Sequence, residues 1–241
     1  YGTGGTRTWT SQTFTPGTAP VAGYEGTNFS RLVTSGQSAA GDYFLLGQRI
    51  EDVRTFANQT VTCSFWAKAS SGTPKVAVAT DQSFGSGGSA TVTTAGGNVT
   101  ISTSWARYSV TFTIPSVSGK TIGAGSNCGL LLFTSAGSSL SAYTNIGVQN
   151  ATIDIWGVQL EAGSVATPFT TATGTIQGEL AACQRYYVRW TTGTAYAPIS
   201  TYSGARDTTS VWGTLQPPVT MRTIPTSIDY ASGMGLWDGF N

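Results

Sequence analysis

The sequence alternates apolar and polar residues with period two over most of its length, and this pattern predicts strands. Residues 59–69, "QTVTCSFWAKA", place Val61, Cys63, Phe65 and Ala67 on one face and Thr60, Thr62, Ser64, Trp66 and Lys68 on the other, as expected of a strand with one buried side. Residues 104–115, "SWARYSVTFTIP", repeat the pattern with Tyr108, Val110, Phe112 and Ile114 inward and Trp105, Arg107, Ser109, Thr111 and Thr113 outward. Pro115, which cannot donate to a ladder, closes the run. In "NATIDIWGVQLE", residues 150–161, Ile153 and Ile155 share one face and Thr152, Asp154 and Trp156 the other. The phase flips after Gly157, so Val158 and Leu160 become the apolar pair, and a bulge is expected at the glycine. Weaker strands are read at "TNFSRLVTS", "DYFLLGQRIE", "PKVAVATDQ" and "NCGLLLFTS". The last is apolar on both faces, as in a central strand covered on both sides.

Two Gly/Ser/Thr-rich stretches, residues 83–97 and 135–149, read as long loops of a kind that is functional or mobile. Seven or eight strands with no helix over residues 1–169 define an all-β fold, a β-sandwich of jelly-roll type. Then the period changes. Residues 174–190, "GTIQGELAACQRYYVRW", read as one short helix, N-capped by Thr175, with Glu179 in its first turn and Arg185 and Arg189 near its end. Ile176, Leu180, Cys183 and Tyr187 step by four, three and four, a short heptad seam. Such a helix is marginal alone and must dock, either on its own sandwich or on the same helix of two symmetry mates. Residues 191–241 return to β-like text too short for an independent core. The expected organisation is a sandwich at 1–170, a linking helix at 171–190 and a small β-tip at 191–241.

Composition narrows the function. Only 10% of the residues are charged while 31 are glycine, so hydroxyls and amides keep the surface soluble, as in secreted β-proteins and in components of large particles. Twelve basic and 11 acidic residues give a net charge of +1 without any basic cluster, which leaves nucleic-acid binding no electrostatic footing. No apolar run approaches the ~20 residues of a membrane span, and the first residues lack the pattern of a signal peptide. The chain begins without Met, as expected of a processed product or of part of something longer. Three widely spaced cysteines, Cys63, Cys128 and Cys183, read as small buried hydrophobes. A Cys63–Cys128 bridge remains an alternative. With no histidine, Ser-His-Asp and Cys-His triads are excluded. Carboxylates at Asp42, Glu51, Asp52, Asp81, Asp154 and Glu161 offer pairs for glycoside hydrolysis, but none sits in a catalytic motif. No catalytic residue, cofactor or metal site is therefore assigned.

Sugar binding needs flat aromatic faces beside paired hydrogen-bonding groups. Alternation sends Trp66, Lys68, Trp105, Arg107, Asp154 and Trp156 to the polar faces of their strands. If these faces share one sheet they form a platform; otherwise long loops or a neighbouring subunit cover the tryptophans. A second aromatic group, Trp190, Tyr196, Tyr202, Arg206, Trp212 and Trp237, crowds the C-terminal region as a candidate receptor-binding tip. It equally suits the core of a small β-tip.

Several blocks resemble a known module. "IEDVRTFANQTVTCSFWAKA" (50–69), "SWARYSVTFTIPSVSGKTIG" (104–123), "DIWGVQLEAGSVATPF" (154–169), "GELAACQRYY" (178–187) and "PPVTMRTIPT" (217–226) are similar, in order and spacing, to a module of tailed-bacteriophage tail fibres and virion appendages. The first three also resemble jelly-roll carbohydrate-binding modules of secreted polysaccharide enzymes. The phage pattern continues past the last block, so a C-terminal piece is expected to be missing, and it has no fixed binding motif to carry over. The resemblance implies a homotrimeric virion component, outside the cell on tail or capsid, that contacts other virion proteins and a bacterial surface saccharide. The helix would then lock the trimer between sandwich and tip. The alternatives are a monomeric carbohydrate-binding module of a secreted enzyme and a ligand-free decoration protein.

Overall fold

The computed structural model describes residues 1–22, 26–171, 173–190, 203–205 and 211–225. Two compact units meet in sequence at Phe169/Thr170. The first contains ten strands: β1 (Gly2–Thr3), β2 (Thr6–Thr13), β3 (Asn28–Ser35), β4 (Tyr43–Glu51), β5 (Thr60–Ala69), β6 (Lys75–Ser83), β7 (Val92–Thr100), β8 (Ala106–Thr113), β9 (Asn127–Ala136) and β10 (Ala151–Ala162). They form two five-stranded antiparallel sheets, β1-β4-β9-β6-β7 and β2-β3-β10-β5-β8, here named for their central strands, β9 and β10. The chain crosses repeatedly between the sheets, which makes the sandwich a jelly roll.

The inner faces are those that the alternation marks. Val61, Cys63, Phe65 and Ala67 of β5 meet Ile153 and Ile155 of β10, Leu130 and Leu132 of β9, and Phe112 and Ile114 from β8 and its end in one core. Tyr108 and Val110 pack against it only partly buried. Each fully buried side chain of this size contributes about 1.5–3 kcal/mol. Register shifts in β10 between Trp156 and Gln159, with Gly157 at φ 61°. That left-handed residue forms the expected bulge and returns Leu160 to the inner face opposite Cys63.

Four features differ from the sequence reading. β1 and β2 carry no inward apolar alternation and were not expected, and Val92–Thr100, inside the stretch read as loop, is the edge strand β7. Its alternation is hidden by Gly96 and Gly97. Residues 137–149 include a one-turn 3-10 helix, Ser138–Leu140. This loop is pinned by hydrogen bonds: Gly137 N–H donates to Asp42 O, Asn98 Nδ2 to Thr144 O and Gln149 Nε2 to Lys75 O. Finally, Cys183 is exposed rather than buried, whereas Cys63 and Cys128 are buried free thiols, as the leading reading has them, and not the alternative bridge.

In the second unit, α1 runs Ile176–Gln184, with Thr175 Oγ1 accepting from Gly178 N–H as N-cap. The helix is shorter than the 174–190 reading: Arg185 is its C-cap and Tyr187 lies beyond its end. Leu180 and Tyr187 are 58% and 68% exposed. The side chain of Ile176 lies outside the described set. β11 (Ser203–Ala205) and β12 (Val211–Gly213) form a hairpin-like pair. Trp190 is exposed; Tyr196, Tyr202, Arg206 and Trp237 lie outside the described residues, as does the side chain of Trp212. No described helix is long and apolar enough to cross a membrane.

Candidate saccharide site

Strands β10, β5 and β8 are neighbours, so Trp66, Lys68, Trp105, Arg107, Asp154 and Trp156 do share the outer face of one sheet. Trp156 pairs with Trp66, Trp66 with Arg107 and Asp154 with Lys68. The face is not an open platform, however. Asp154 is 3% exposed; its carboxylate accepts from Arg31 Nε at 2.7 Å and Nη2 at 2.9 Å, and Lys68 Nζ stands 3.8 Å away. Phe14, buried after β2, sits 5.5 Å from Trp105 and 6.0 Å from Trp156, ring to ring. Phe169 covers Trp156 at 4.8 Å. Arg107 donates to Ser64 Oγ at 2.9 Å and to the Thr167 carbonyl, tying down the segment that carries Phe169. Glu161 also anchors this segment. Burial raises its pKa, but hydrogen bonds from Thr167 and Gln159 and the charge of Arg107 bring it below the usual value. Loop cover, one of the two expectations, is what the outer face of the β10-centred sheet displays. Lys68 stands 5.3 Å over the ring of Trp105 and Arg31 5.7 Å over Phe29, so even the rim cations rest on aromatic faces.

The opposite outer face is built differently. Cross-strand registers of the β9-centred sheet set three rows across β4, β9, β6 and β7: Leu45–Phe133–Ala77–Asn98, Gly47–Leu131–Ala79–Ala95 and Arg49–Gly129–Asp81–Thr93. Leu45, Phe133 and Ala77 of the first row are buried under the 137–149 loop through Leu140, Tyr143 and Ile146, while Asn98 at its end is exposed. The other two form a trough: Gly47, Arg49, Thr93 and Ala95 are exposed, and Leu131, Asp81 and Tyr143 are half-buried. Small residues make its floor. At Gly47 a Cβ would approach Leu45 Cδ1 to 3.1 Å and Leu131 Cδ2 to 3.2 Å, so the depression depends on that missing side chain. Four strands at ordinary spacing make it roughly 15 Å long between outer strand axes.

Aromatic and polar groups border this trough. Tyr143 packs on Phe133 at 6.1 Å, and Tyr43 on the same ring at 6.2 Å. Burial, then Asp81 and Tyr43, raise the Tyr143 pKa, so its hydroxyl remains a proton donor at neutral pH. Asp81 Oδ1 accepts from Thr93 Oγ1 at 2.6 Å. Arg49 supplies a fork of donors at the opposite end of that row. An apolar floor, a tyrosine wall and a carboxylate and guanidinium that hydrogen-bond in pairs suit a sugar chain. Sequence reading missed these residues; the signal available was the second apolar face of "NCGLLLF" set beside Gly47.

A family model described as a carbohydrate binding domain matches residues 3–123, half of the chain. The chain belongs to this carbohydrate-binding domain family. Its members are non-catalytic binding domains, and the matched residues span β1 to β8. Comparison with curated proteins finds no match. Among solved structures, the enzymatically active domain of tailspike protein 4 of bacteriophage CBA120 is 15% identical at a TM-score of 0.38, over 67% of this chain and 18% of that one. The CBM22-2 xylan-binding domain of Xyn10C from Paenibacillus barcinonensis is 16% identical at a TM-score of 0.41, over 66% and 89%. A family 16 carbohydrate-binding module is 19% identical at 0.33, over 58% and 80%. The chain thus spans under a fifth of the tailspike's length, and none of these likenesses bears on which ligand it takes.

Proposed function

We propose that the sandwich holds a saccharide chain in the trough across the β9-centred sheet, and that it does so as the host-attachment part of a phage tail fibre or virion appendage. The trough carries the first half of this reading: the Gly47–Leu131–Ala79–Ala95 row, exposed at Gly47 and Ala95, lies between Tyr143 and the Arg49–Gly129–Asp81–Thr93 row, beside the 137–149 loop. The resemblance of five sequence blocks to tail-fibre proteins supports the second half. Their reach beyond the sandwich, through α1 and into 217–226, favours it over a binding module of a secreted enzyme. The exposure of Leu180 on α1 supports a homotrimer in which weak sites act together. The reading assigns no catalytic step.

Titration calorimetry against xylohexaose and cellohexaose tests the trough. Gly47→Val, which fills the floor, and Tyr143→Ala, which removes the wall, are each expected to weaken binding about tenfold or more while leaving the melting temperature within a few degrees. Unchanged affinity in both variants would move the site elsewhere.

A further inference from the structure

We propose that the mouth between the two sheets, on the side of β2 and β4, is a second and separate subsite for a neutral saccharide. On the inner face of β2, Trp9 pairs with Leu32 and Ser11 with Ser30. Leu32 is 1% exposed, yet Trp9, on the same face one strand outward, is 58% exposed. The topology explains the contrast. The strand that would continue the facing sheet over Trp9 is β1, and it pairs only with Tyr43 and Phe44. Tyr1 extends this edge to Leu45, with which it exchanges backbone hydrogen bonds of 3.0 and 2.9 Å; beyond Leu45 no described strand borders that edge of β4, and the sandwich opens.

A shallow depression fills this opening, with Leu46 and Ile155 on its apolar side, Val158 at its lip and the hydroxyls of Ser11 and Ser30 beside them. Ile155 is buried, while Val158 is 37% exposed. Directly opposed in the ladder, the two serines stand about 5 Å apart, and among the described residues neither hydroxyl has a hydrogen-bond partner. Among the described residues, none that lines the depression is ionisable. Arg7, the one charged residue on β2, turns to the carbonyls of Gly4 and Gly5. Trp9 does not line the depression itself but stands exposed on the same face of β2, two residues from Ser11; an exposed indole beside an aliphatic floor and paired neutral hydroxyls matches a pyranose with one apolar face and adjacent hydroxyl groups. Among the described lining residues an anionic sugar would find no cation. The inference rests on the family's carbohydrate binding, and not on the trough.

The test uses the full chain labelled with 5-fluorotryptophan, with the Trp9 resonance assigned through Trp9→Phe, and titration with xylohexaose, cellohexaose and a glucuronic acid oligomer followed by fluorine NMR. A saturable shift of the Trp9 signal is expected with at least one neutral hexaose and none with the acidic oligomer. The shift should persist in Gly47→Val, and Trp9→Ala should weaken this site at least about tenfold. The Trp9 side chain is exposed, so Trp9→Phe and Trp9→Ala should melt as the parent does. A Trp9 signal silent to both hexaoses overturns the proposal. So does a signal that moves only when the trough is intact, or one that moves on simple dilution, which would assign Trp9 to contact between copies. If Gly47→Val leaves all binding unchanged while Trp9 still responds, the trough reading fails and the mouth stands.

Discussion

Replacing Asp154 by Asn separates the roles of the two outer faces. The carboxylate is almost fully buried and holds Arg31 through two bonds of 2.7 and 2.9 Å, with Lys68 3.8 Å away. Asn keeps the shape, removes the charge and presents only one oxygen to the guanidinium fork. A charge-assisted hydrogen bond contributes about 1.5–3 kcal/mol net. The side chains of Arg31 and Lys68 are 36% and 33% exposed, so both cations recover water when the pair is broken, and the loss falls below the ~3–5 kcal/mol of a fully buried pair. A net cost of about 2 kcal/mol follows. For a unit of this size each kcal/mol lowers the melting temperature by about 2–4 °C, so calorimetry should find the sandwich transition about 4–8 °C lower. Affinity for a hexasaccharide should not change, because the trough lies on the other sheet. A melting temperature within about 1 °C of the parent would refute the structural role of Asp154. Lost saccharide affinity at unchanged stability would restore the tryptophan-bearing face as the binding site.

Three further outcomes follow from individual groups. Burial pushes the thiol of Cys63 up to about 12 and that of Cys128 to about 11, while Cys183 is exposed; a disulfide reagent at pH 8 should titrate one thiol quickly and the other two only in denaturant, and three equal rates would contradict the packing. Backbone N–H groups of Ser38 and Ala39 hold the Asp42 carboxyl below its ordinary 3.8, so its stabilisation is present above that pH and is lost as pH falls through the lower folded value. Asp42→Asn should therefore flatten the acid limb of a melting-temperature profile, and an unaltered limb would exclude the linkage. Leu180→Asp should reduce the light-scattering mass to that of one 25.0 kDa chain if α1 forms a trimer seam; a parent chain that is already monomeric would remove the seam.

The sandwich was legible because its inner faces obey one rule. In β5, β8 and β10 every second residue is apolar, and membership of the core follows that alternation even through the Gly157 bulge, which the phase flip revealed. β2 escaped notice because its inward positions are Arg7, Trp9 and Ser11, residues that an edge strand over an open mouth can hold and a covered strand would not. β7 escaped because glycine occupies two of its positions. The α-helix was found from its N-cap, but its end was placed late, since nothing local forbids helix at Tyr186 or Tyr187.

Reading the site was harder because alternation distinguishes inside from outside but does not say whether the outside is covered. The strand pattern correctly put three tryptophans on one outer face. Their cover, Phe14 and Phe169, comes from segments outside the strands with no periodicity of their own. The trough has the reverse signature. Its floor is defined by absent side chains at Gly47 and Gly129 and by Ala95, and a glycine in a strand reads on sequence as a weakness in the ladder. Only the register shows that Gly47 and Ala79 flank Leu131 in one row. In a sandwich whose two outer faces both carry aromatic residues, the open face is therefore the one with small residues aligned across strands, and the face with large aromatics aligned has become a second core.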